Sequence, residues 1–402
     1  MNKETEWADV VRLAARGDGV TSDGRFLPGL VPGDRVAADG AISRGPHHAT
    51  PPCRHFGSCG GCQMQHVSDA AYAGFVEDRI LWALNGVGLK PAGLLPVAMS
   101  PPRSRRRASF RAVRSGKSVQ IGFNSEGSHS LVDLAECHIV TPAIFALLAP
   151  LRSLLAPFLG ARTAIGITLA ESDSGIDMLL ANVAADSLSA IERLSEFAET
   201  AKLARLSVEG PGGVETIVER ATPTLRMGGA TVSVPPAAFL QASREGEAAL
   251  VAAVRAIVGP ARSVADLFSG LGTFALPLSQ SASVLAADAA GPALASLTAA
   301  ARQSGRRIET QHRDLFRKPL TAAELQPFAA LVFDPPRAGA SAQSAEIARS
   351  NVASVAAVSC NPATFARDAE KLVAGGYQLG RIWPVAQFRW STHVELVAEF
   401  TR

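Results

Sequence analysis

Only five cysteines occur among the 402 residues, charged residues make up 19% of the chain, and no positively charged segment with a short apolar stretch opens it. The missing segment excludes a typical secretory signal, so we expect a cytoplasmic protein. Thiols stay reduced in the cytosol, which favours metal, cluster or catalytic roles for the cysteines over disulfides. With 47% apolar residues, the chain predicts a globular protein of two or three domains.

A long uninterrupted apolar run is missing as well. The most apolar segment, residues 143–161, is about long enough to span a membrane, but Arg152 lies near its middle and Pro150 and Pro157 interrupt it. This pattern predicts two short packed helices, and we expect no membrane partner.

Acidic residues are missing from one strongly basic stretch, although the net charge of the chain is only +3. Seven basic residues and no acidic one lie between positions 103 and 117. As a β-strand, this stretch places arginines on one face (Arg105, Arg107, Arg111) and apolar residues on the other (Ala108, Phe110, Ala112). Arginines without acidic neighbours favour contact with phosphates. The alternative is a solvated edge strand whose charge deters aggregation.

No internal repeat divides the chain, and three regions differ in pattern. Residues 1–50 carry short apolar runs broken by glycine turns, which predicts a small β-barrel of a kind that often binds single strands, with a spacer as the alternative. Residues 51–240 mix cysteines, the basic stretch and paired strand-like runs, which predicts a β-rich middle domain. In residues 241–402, strand-like runs alternate with helical stretches, which predicts a doubly wound α/β domain.

Polar residues end the strand-like runs of the α/β region, where ligands of such sheets gather: Asp266, Asp288, Asp334 and Cys360. The first run leads into the loop DLFSGLGTFALPL, whose two glycines permit a tight turn, although alanine replaces the third glycine of the dinucleotide fingerprint. Asp288 follows at a distance that suits ribose hydroxyls. No lysine in the loop serves as a phosphate clamp, which favours S-adenosylmethionine over a nucleoside triphosphate. A turn in an α/β domain without a ligand is the alternative.

Cys360 is the candidate nucleophile. It precedes Asn361 and Pro362, which predict a helix N-terminus, and the partial positive charge there favours a thiolate. A structural cysteine is the alternative reading. For Asp334 the alternative is a capping residue, and for Glu395, in the final run HVELVAEF, it is a solvated face. Spacing alone does not bring Glu395 to Cys360.

These residues together resemble the RNA (uracil-5-)-methyltransferase family, in particular its bacterial, iron–sulfur-containing 23S rRNA branch. The matching motifs occur in the family's order from residue 53 onward: CRHFGSCGGCQMQH, SHSLVDLAECHI, FLQAS, DLFSGLGTF, DPPRAGA, VSCNPATFARD and HVE. The resemblance implies a C-terminal class I (Rossmann-like) methyltransferase domain, a β-rich middle domain and an N-terminal OB/TRAM-like β-barrel.

The resemblance also implies a [4Fe–4S] cluster held by Cys53, Cys59, Cys62 and Cys137. Four thiolates suit tetrahedral zinc too, and the nearby histidines (His55, His66, His138) keep zinc as an alternative. We expect a structural role for the cluster, because its ligands lie in the middle domain rather than at the methyl-transfer strands.

The implied reaction is methyl transfer from S-adenosylmethionine to carbon 5 of a uridine in 23S rRNA. Cys360 is the implied nucleophile and Glu395 the implied general base. Asp334 is also expected to face the flipped base. The residues implied to bind the cofactor are Gln241, Phe268, Gly270, Gly272, Thr273, Asp288, Asp314 and Asp334.

Two departures from the family pattern affect this reading. Thr273 stands where relatives often have asparagine, and QFRWSTHVE lacks the usual proline–threonine–glycine sequence.

Among alternative functions, methylation of tRNA is the first, and the cysteines and the N-terminal barrel favour rRNA over it. A non-catalytic RNA-binding or ribosome-assembly factor and a redox sensor are further alternatives. We expect a monomer that does not bind DNA.

Overall fold

The computed structural model describes residues 7–160 and 163–402. Its N-terminal part is an antiparallel sheet in the order β3-β2-β1-β4-β5. The strands are β1 (Trp7–Leu13), β2 (Gly19–Thr21), β3 (Phe26–Leu27), β4 (Arg35–Ala37) and β5 (Ile42–Ser43). Gly17, Gly24 and Gly33 have positive φ angles at the tight turns that the sequence predicts. In the described residues β3 and β5 do not pair with each other, so the β-rich unit is confirmed and its closure into a barrel stays a prediction.

The next segment packs against the C-terminal part of the chain. It forms α1 (Asp69–Asn85), β6 (Gly93–Leu94) and β7 (Ala98–Met99). Ser68 begins the helix by accepting a hydrogen bond from the Ala71 N–H. The buried face of α1 shares one apolar core with Phe365 and Phe400. Residues 69–99 therefore lie with the C-terminal sheet, whereas the boundary predicted at residue 51 assigns them to the middle domain.

The middle part is a seven-stranded sheet in the order β10-β9-β8-β11-β12-β13-β14. Its strands are β8 (Arg107–Ser115), β9 (Ser118–Asn124), β10 (Leu131–Asp133), β11 (Ala164–Ser172), β12 (Gly175–Ala181), β13 (Arg205–Gly210) and β14 (Gly213–Glu219). Apolar side chains of β8 face the core, as the alternation predicts: Ala108, Phe110 and Ala112. Because β8 pairs with β9 and β11, the edge-strand alternative for the basic stretch is wrong.

Helices cover this sheet. They are α2 (Pro142–Ala146), α3 (Leu148–Leu155), a 3₁₀ turn (Ala156–Phe158) and α4 (Leu188–Thr200). The apolar segment from residue 143 thus forms short helices as predicted, with residue 161 outside the described residues. Within residues 7–160 and 163–402, no helix is long and apolar enough to cross a membrane.

A hairpin of β15 (Thr224–Met227) and β16 (Ala230–Ser233) leads into the C-terminal α/β part. Its helices are α5 (Arg244–Val258), α6 (Ala275–Leu278), α7 (Gly291–Gln303), α8 (Ala322–Leu325), α9 (Ser341–Arg349) and α10 (Pro362–Ala374). Its strands are β17 (Ser263–Leu267), β18 (Ser283–Asp288), β19 (Ile308–His312), β20 (Ala330–Phe333), β21 (Ser354–Ser359), β22 (Gln378–Ala386) and β23 (Glu395–Thr401).

The C-terminal sheet confirms the predicted α/β arrangement. Its order is β19-β18-β17-β20-β21-β23-β22-β6, with β7 also paired to β22. Strands β17 to β21 are parallel, and β23 is antiparallel to both of its neighbours. The chain reverses its direction of progress between β17 and β20, and ligands of such sheets bind at this switch point.

Candidate active site

A cavity of about 1170 Å³ opens at the carboxyl ends of β17, β18, β20 and β21. It extends to the cysteine loop of residues 53–62. Most of the predicted site residues line it: Cys53, Cys59, Cys62, Cys137, Phe268, Gly270, Thr273, Asp288, Asp314, Asp334, Cys360 and Glu395. Gln241 and Gly272 are not among its lining residues, and Asp266 is fully buried within β17 instead of facing a ligand.

Asp288 fixes the loop that follows β17. Its carboxylate accepts hydrogen bonds from the Gly270 N–H at 2.8 Å and the Ala290 N–H at 2.7 Å. Gly272 has a φ of +89°, and a Cβ there would lie 2.5 Å from the Leu297 Cδ1 atom. Glycine suits position 272 because of this positive φ and because the loop packs closely against α7.

Two aromatic rings stand beside this loop. Phe268 has a φ of +63°, and its ring centroid lies 5.5 Å from that of Phe316. The Phe316 side chain is half-exposed and lines the cavity. Asp314 holds this segment by accepting a hydrogen bond from the Phe316 N–H at 3.0 Å. Phe316 was not among the predicted residues; an exposed aromatic residue two positions after a predicted ligand is the signal that would have found it.

Gln387 is a second residue that the sequence pattern did not single out. Its side-chain amide donates hydrogen bonds to the Glu395 carboxylate and, at 2.8 Å, to the Gln241 Oε1 atom. Its Oε1 atom accepts from the Ala242 N–H at 3.0 Å. A Cβ on Gly246 would lie 2.4 Å from the Gln387 Cβ, so glycine in α5 makes room for this side chain. The carboxylate of Glu395 is thus held by a buried amide network.

Glu395 is buried at the start of β23, which has a strand on each side. The solvated-face alternative is therefore wrong. Burial raises the pKa of Glu395 to about 8, and the charge of Asp334 adds to the increase, while Gln387 opposes it. Burial also raises the pKa of Asp334 to about 7, with a contribution from Asp288. Carboxyl groups that titrate near neutral pH suit proton transfer.

Cys360 lies where the sequence predicts, but its thiol is not activated as expected. Asn361 begins α10 by accepting a hydrogen bond from the Ala363 N–H at 3.1 Å, and Pro362 is its first residue. Burial, together with the charges of Glu395 and Asp334, nevertheless raises the pKa of Cys360 to about 11. The expected stabilisation of the thiolate by the helix is outweighed. Glu395 and Cys360 line the same cavity, which spacing along the sequence could not establish.

The four clustered cysteines come from two loops that are joined by polar contacts. The Ala135 N–H donates to the His55 Nε2 atom at 3.0 Å, and the Arg54 N–H donates to the Glu136 carboxylate at 2.5 Å. Burial raises the pKa of three of the thiols (Cys53, Cys59 and, to about 12, Cys62). In the described part of the chain, no group of three or more cysteine, histidine or acidic residues is arranged around a single metal ion.

No protein-family profile matches this chain. An uncharacterized RNA methyltransferase of Zymomonas mobilis is 44% identical over 393 residues, which cover 98% of this chain and 99% of that protein. The 23S rRNA (uracil(1939)-C(5))-methyltransferase RlmD of Halomonas elongata is 33% identical over 430 residues, covering 95% and 86%. This chain belongs to the RNA (uracil-C5)-methyltransferase family. The predicted family and enzyme class are thereby confirmed, whereas its iron–sulfur-containing 23S rRNA branch stays a prediction.

A solved structure shows the same fold. The tRNA (uracil-54, C5)-methyltransferase of Pyrococcus abyssi, in complex with S-adenosyl-L-homocysteine, superposes with a TM-score of 0.77 at 20% identity. The match covers 98% of this chain and 100% of that one. It supports a class I methyltransferase fold for the C-terminal sheet.

The basic stretch of this family member is divided between cavity and core. Arg105 and Arg107 line the same cavity as the cysteine loop and Glu395. Arg106 is buried, forms an ion pair with Glu247 at 2.5 Å, and donates to the Gln241 carbonyl at 3.1 Å. The expectation that no carboxylate neutralises this stretch is therefore wrong for Arg106. Two arginines remain in position to meet a polyanion in the cavity.

Proposed function

We propose that this chain transfers the methyl group of S-adenosylmethionine to carbon 5 of a uridine in 23S rRNA through a covalent adduct with Cys360. The observation that carries the proposal is the meeting of Cys360, Glu395 and Asp334 in one cavity with the loop that Asp288 fixes. The RlmD relative supports the choice of rRNA, because it matches 95% of this chain.

The residues beside the loop fit the proposed cofactor. The Asp288 carboxylate suits ribose hydroxyls, and the rings of Phe268 and Phe316 offer apolar faces at the cavity wall. Gly270 and Thr273 line the same wall, and Gln241 contributes through Gln387. When bound, S-adenosylmethionine supplies an electrophilic methyl group on a sulfonium centre.

Covalent catalysis solves the chemical difficulty of this reaction, since carbon 5 of uracil is a weak nucleophile. The Cys360 sulfur forms a bond to carbon 6, and the ring electrons move to give an enolate that is nucleophilic at carbon 5. The thiol proton passes to the Asp334 carboxylate, which lines the same cavity. The pKa of Asp334, about 7, is lower than that of Glu395, about 8, so at neutral pH a larger fraction of Asp334 is ionised and able to accept a proton. After carbon 5 has taken the methyl group, Glu395 removes its proton and the carbon–sulfur bond breaks.

The target uridine must leave its stack to reach Cys360. The cavity joins the reacting groups to Arg105 and Arg107, whose guanidinium groups suit the phosphates beside a flipped nucleotide. The Arg105 guanidinium also lies 5.4 Å from the centre of the Phe388 ring.

Replacing Arg105 and Arg107 together by alanine is expected to weaken RNA binding and to lower the slope of log affinity against log salt by about two. Loss of two phosphate contacts reduces the number of released counterions. Binding is measured by fluorescence anisotropy between 50 and 200 mM salt, a range in which phosphate contacts dominate. The matched control is Arg193→Ala on the exposed face of α4. An unchanged slope in the double variant would place the RNA elsewhere.

For the four cysteines we propose a [4Fe–4S] cluster, with zinc as the alternative. All four thiols line the cavity and lie within reach of one another's charge. A cluster spreads its four thiolates around four irons, so it does not need the compact geometry of a single ion. The His55 and Glu136 contacts hold the two loops together. The role proposed for the cluster is structural.

Anaerobically purified protein is expected to contain about four irons per chain, with equal acid-labile sulfide and a broad visible absorption band. Metal analysis by mass spectrometry measures iron and zinc on the same sample. Cys53→Ser is expected to lose the iron, whereas Cys360→Ser keeps it, because Cys360 lies outside the four-cysteine group. One zinc per chain and no sulfide would favour the zinc alternative.

A test of the proposed activity uses purified protein with S-adenosylmethionine and RNA from cells that lack the gene. We expect 5-methyluridine in 23S rRNA and none in tRNA. Product in tRNA alone would keep the chemistry and overturn the proposed substrate.

We propose further that the enzyme acts as a monomer in the cytoplasm. Its proposed domains are a barrel-like N-terminal unit (residues 1–50) that binds RNA, a middle domain (51–240) and a methyltransferase domain (241–402).

A further inference from the structure

The loop that joins β22 to β23, residues 387–394, has an unusual backbone. It carries Phe388 and His393 on the cavity wall and leads directly into Glu395. Trp390 within it has a φ of +59°, in the left-handed region that favours glycine. A bulky residue persists in this conformation only where surrounding groups hold it.

The groups that hold the loop come from a distant part of the chain. The N–H groups of Gln63 and Met64, which follow Cys62, donate to the Trp390 carbonyl at 2.9 and 3.0 Å. At the start of α1, Asp69 forms an ion pair with Arg389 at 2.5 Å. The loop is therefore fixed from outside its own sheet.

Tyr72, one turn into α1, contributes the buried part of this contact. Its hydroxyl lies 2.9 Å from the Ser391 carbonyl and 3.1 Å from the Phe388 carbonyl, so it can donate to either. The residue is fully buried, and burial raises the pKa of its hydroxyl, so it stays a donor at neutral pH. Without Tyr72, the Ser391 carbonyl would lose a buried donor, whereas the Phe388 carbonyl would still accept from the Ser391 N–H at 3.0 Å.

We propose that Tyr72 is a positioning residue which, with the Gln63–Met64 backbone, clamps the 387–394 loop and thereby sets the position of Glu395 at the reacting base. The catalytic consequence rests on the proposed function, whereas the clamp rests on the contacts alone. Because Gln63 directly follows Cys62, the clamp also ties the cysteine loop to the loop that precedes the general base.

The chain offers a matched control, since it contains only two tyrosines. Tyr377 is also buried, and its hydroxyl donates to the Val352 carbonyl at 2.8 Å, away from the loop. Tyr72→Phe and Tyr377→Phe each remove one buried hydroxyl and keep the ring. A merely structural effect is therefore expected in both variants, and an effect on the loop only in Tyr72→Phe.

Two readouts test the clamp. By hydrogen–deuterium exchange mass spectrometry, Tyr72→Phe is expected to speed exchange about tenfold in peptides covering residues 63–64 and 387–394, and Tyr377→Phe is not. In steady-state methylation, Tyr72→Phe is expected to lower kcat about tenfold with the KM for S-adenosylmethionine unchanged, because the Asp288 loop is untouched.

If exchange in residues 387–394 of the Tyr72→Phe variant is unchanged, the clamp is overturned, regardless of the variant's methylation activity. Faster exchange with wild-type kcat overturns the positioning role. If the wild type methylates no RNA, the proposed function fails, and exchange still decides the clamp. Should Tyr72→Phe not fold, Asp69→Ala at the exposed end of the clamp is expected to speed exchange in the same peptides, and unchanged exchange there overturns it.

Discussion

Replacement of Cys360 by alanine is expected to reduce formation of 5-methyluridine by about 10⁴-fold or more. Without the sulfur no bond forms to carbon 6, and carbon 5 of the uracil ring stays too weak a nucleophile to take the methyl group. Single-turnover methylation of 23S rRNA measures the loss. Binding of S-adenosylmethionine, measured by calorimetry, is expected to stay within about twofold, because the Asp288 loop does not depend on this residue.

The control for Cys360→Ala is Arg193→Ala on the exposed face of α4, which leaves the cavity unchanged. It is expected to keep wild-type activity. Activity within tenfold of wild type in Cys360→Ala would remove this residue from the reaction and leave the structural-cysteine reading.

Glu395→Gln is expected to stop the reaction after methyl transfer. The carbon 5 proton then has no base to accept it, so the RNA stays bonded to Cys360. We expect a denaturation-resistant protein–RNA complex on a gel, with the added methyl group visible by mass spectrometry, and turnover lowered by about 10³-fold or more. Turnover with no trapped complex would show that another group removes the proton.

The raised pKa of Glu395 predicts that both the reaction rate and the stability depend on pH. Because the pKa of its carboxyl group is raised to about 8, the fraction of ionised base, and with it the wild-type rate, should rise with pH up to about 8. Between pH 4.5 and about 8, Glu395 keeps its proton in the folded state, whereas in the unfolded state it has already released it. The free energy of unfolding should therefore fall as pH rises through this window. Glu395→Gln should weaken both dependences, as chemical denaturation and rate profiles will show.

Much of the fold and of the site was predictable because its signals are local. Alternating strand and helix patterns from residue 241 predicted the α/β sheet, and the ends of its strand-like runs predicted that Asp288, Asp334 and Cys360 meet at one edge of it, where they line the cavity. The Asn361–Pro362 pair correctly predicted the start of α10. Each of these features depends on neighbours in the sequence.

The features that were missed depend on contacts between distant segments. Gln387 reaches Gln241 and Glu395 only when β22 and β23 pair and α5 packs beside them. The raised pKa of Cys360 comes from burial and from the charges of Glu395 and Asp334, which no local pattern reports. Tyr72 lies more than 300 positions from the loop it contacts. Such long-range placement is set by the tertiary packing.

The central claim is tested most directly by nucleoside-resolved mass spectrometry of 23S rRNA and tRNA from cells lacking this protein. The cells are complemented with the wild type or with Cys360→Ala. The account predicts that 5-methyluridine returns in 23S rRNA with the wild type and not with the variant. Its return with Cys360→Ala, or no change in either RNA with the wild type, would contradict covalent uridine methylation by this chain.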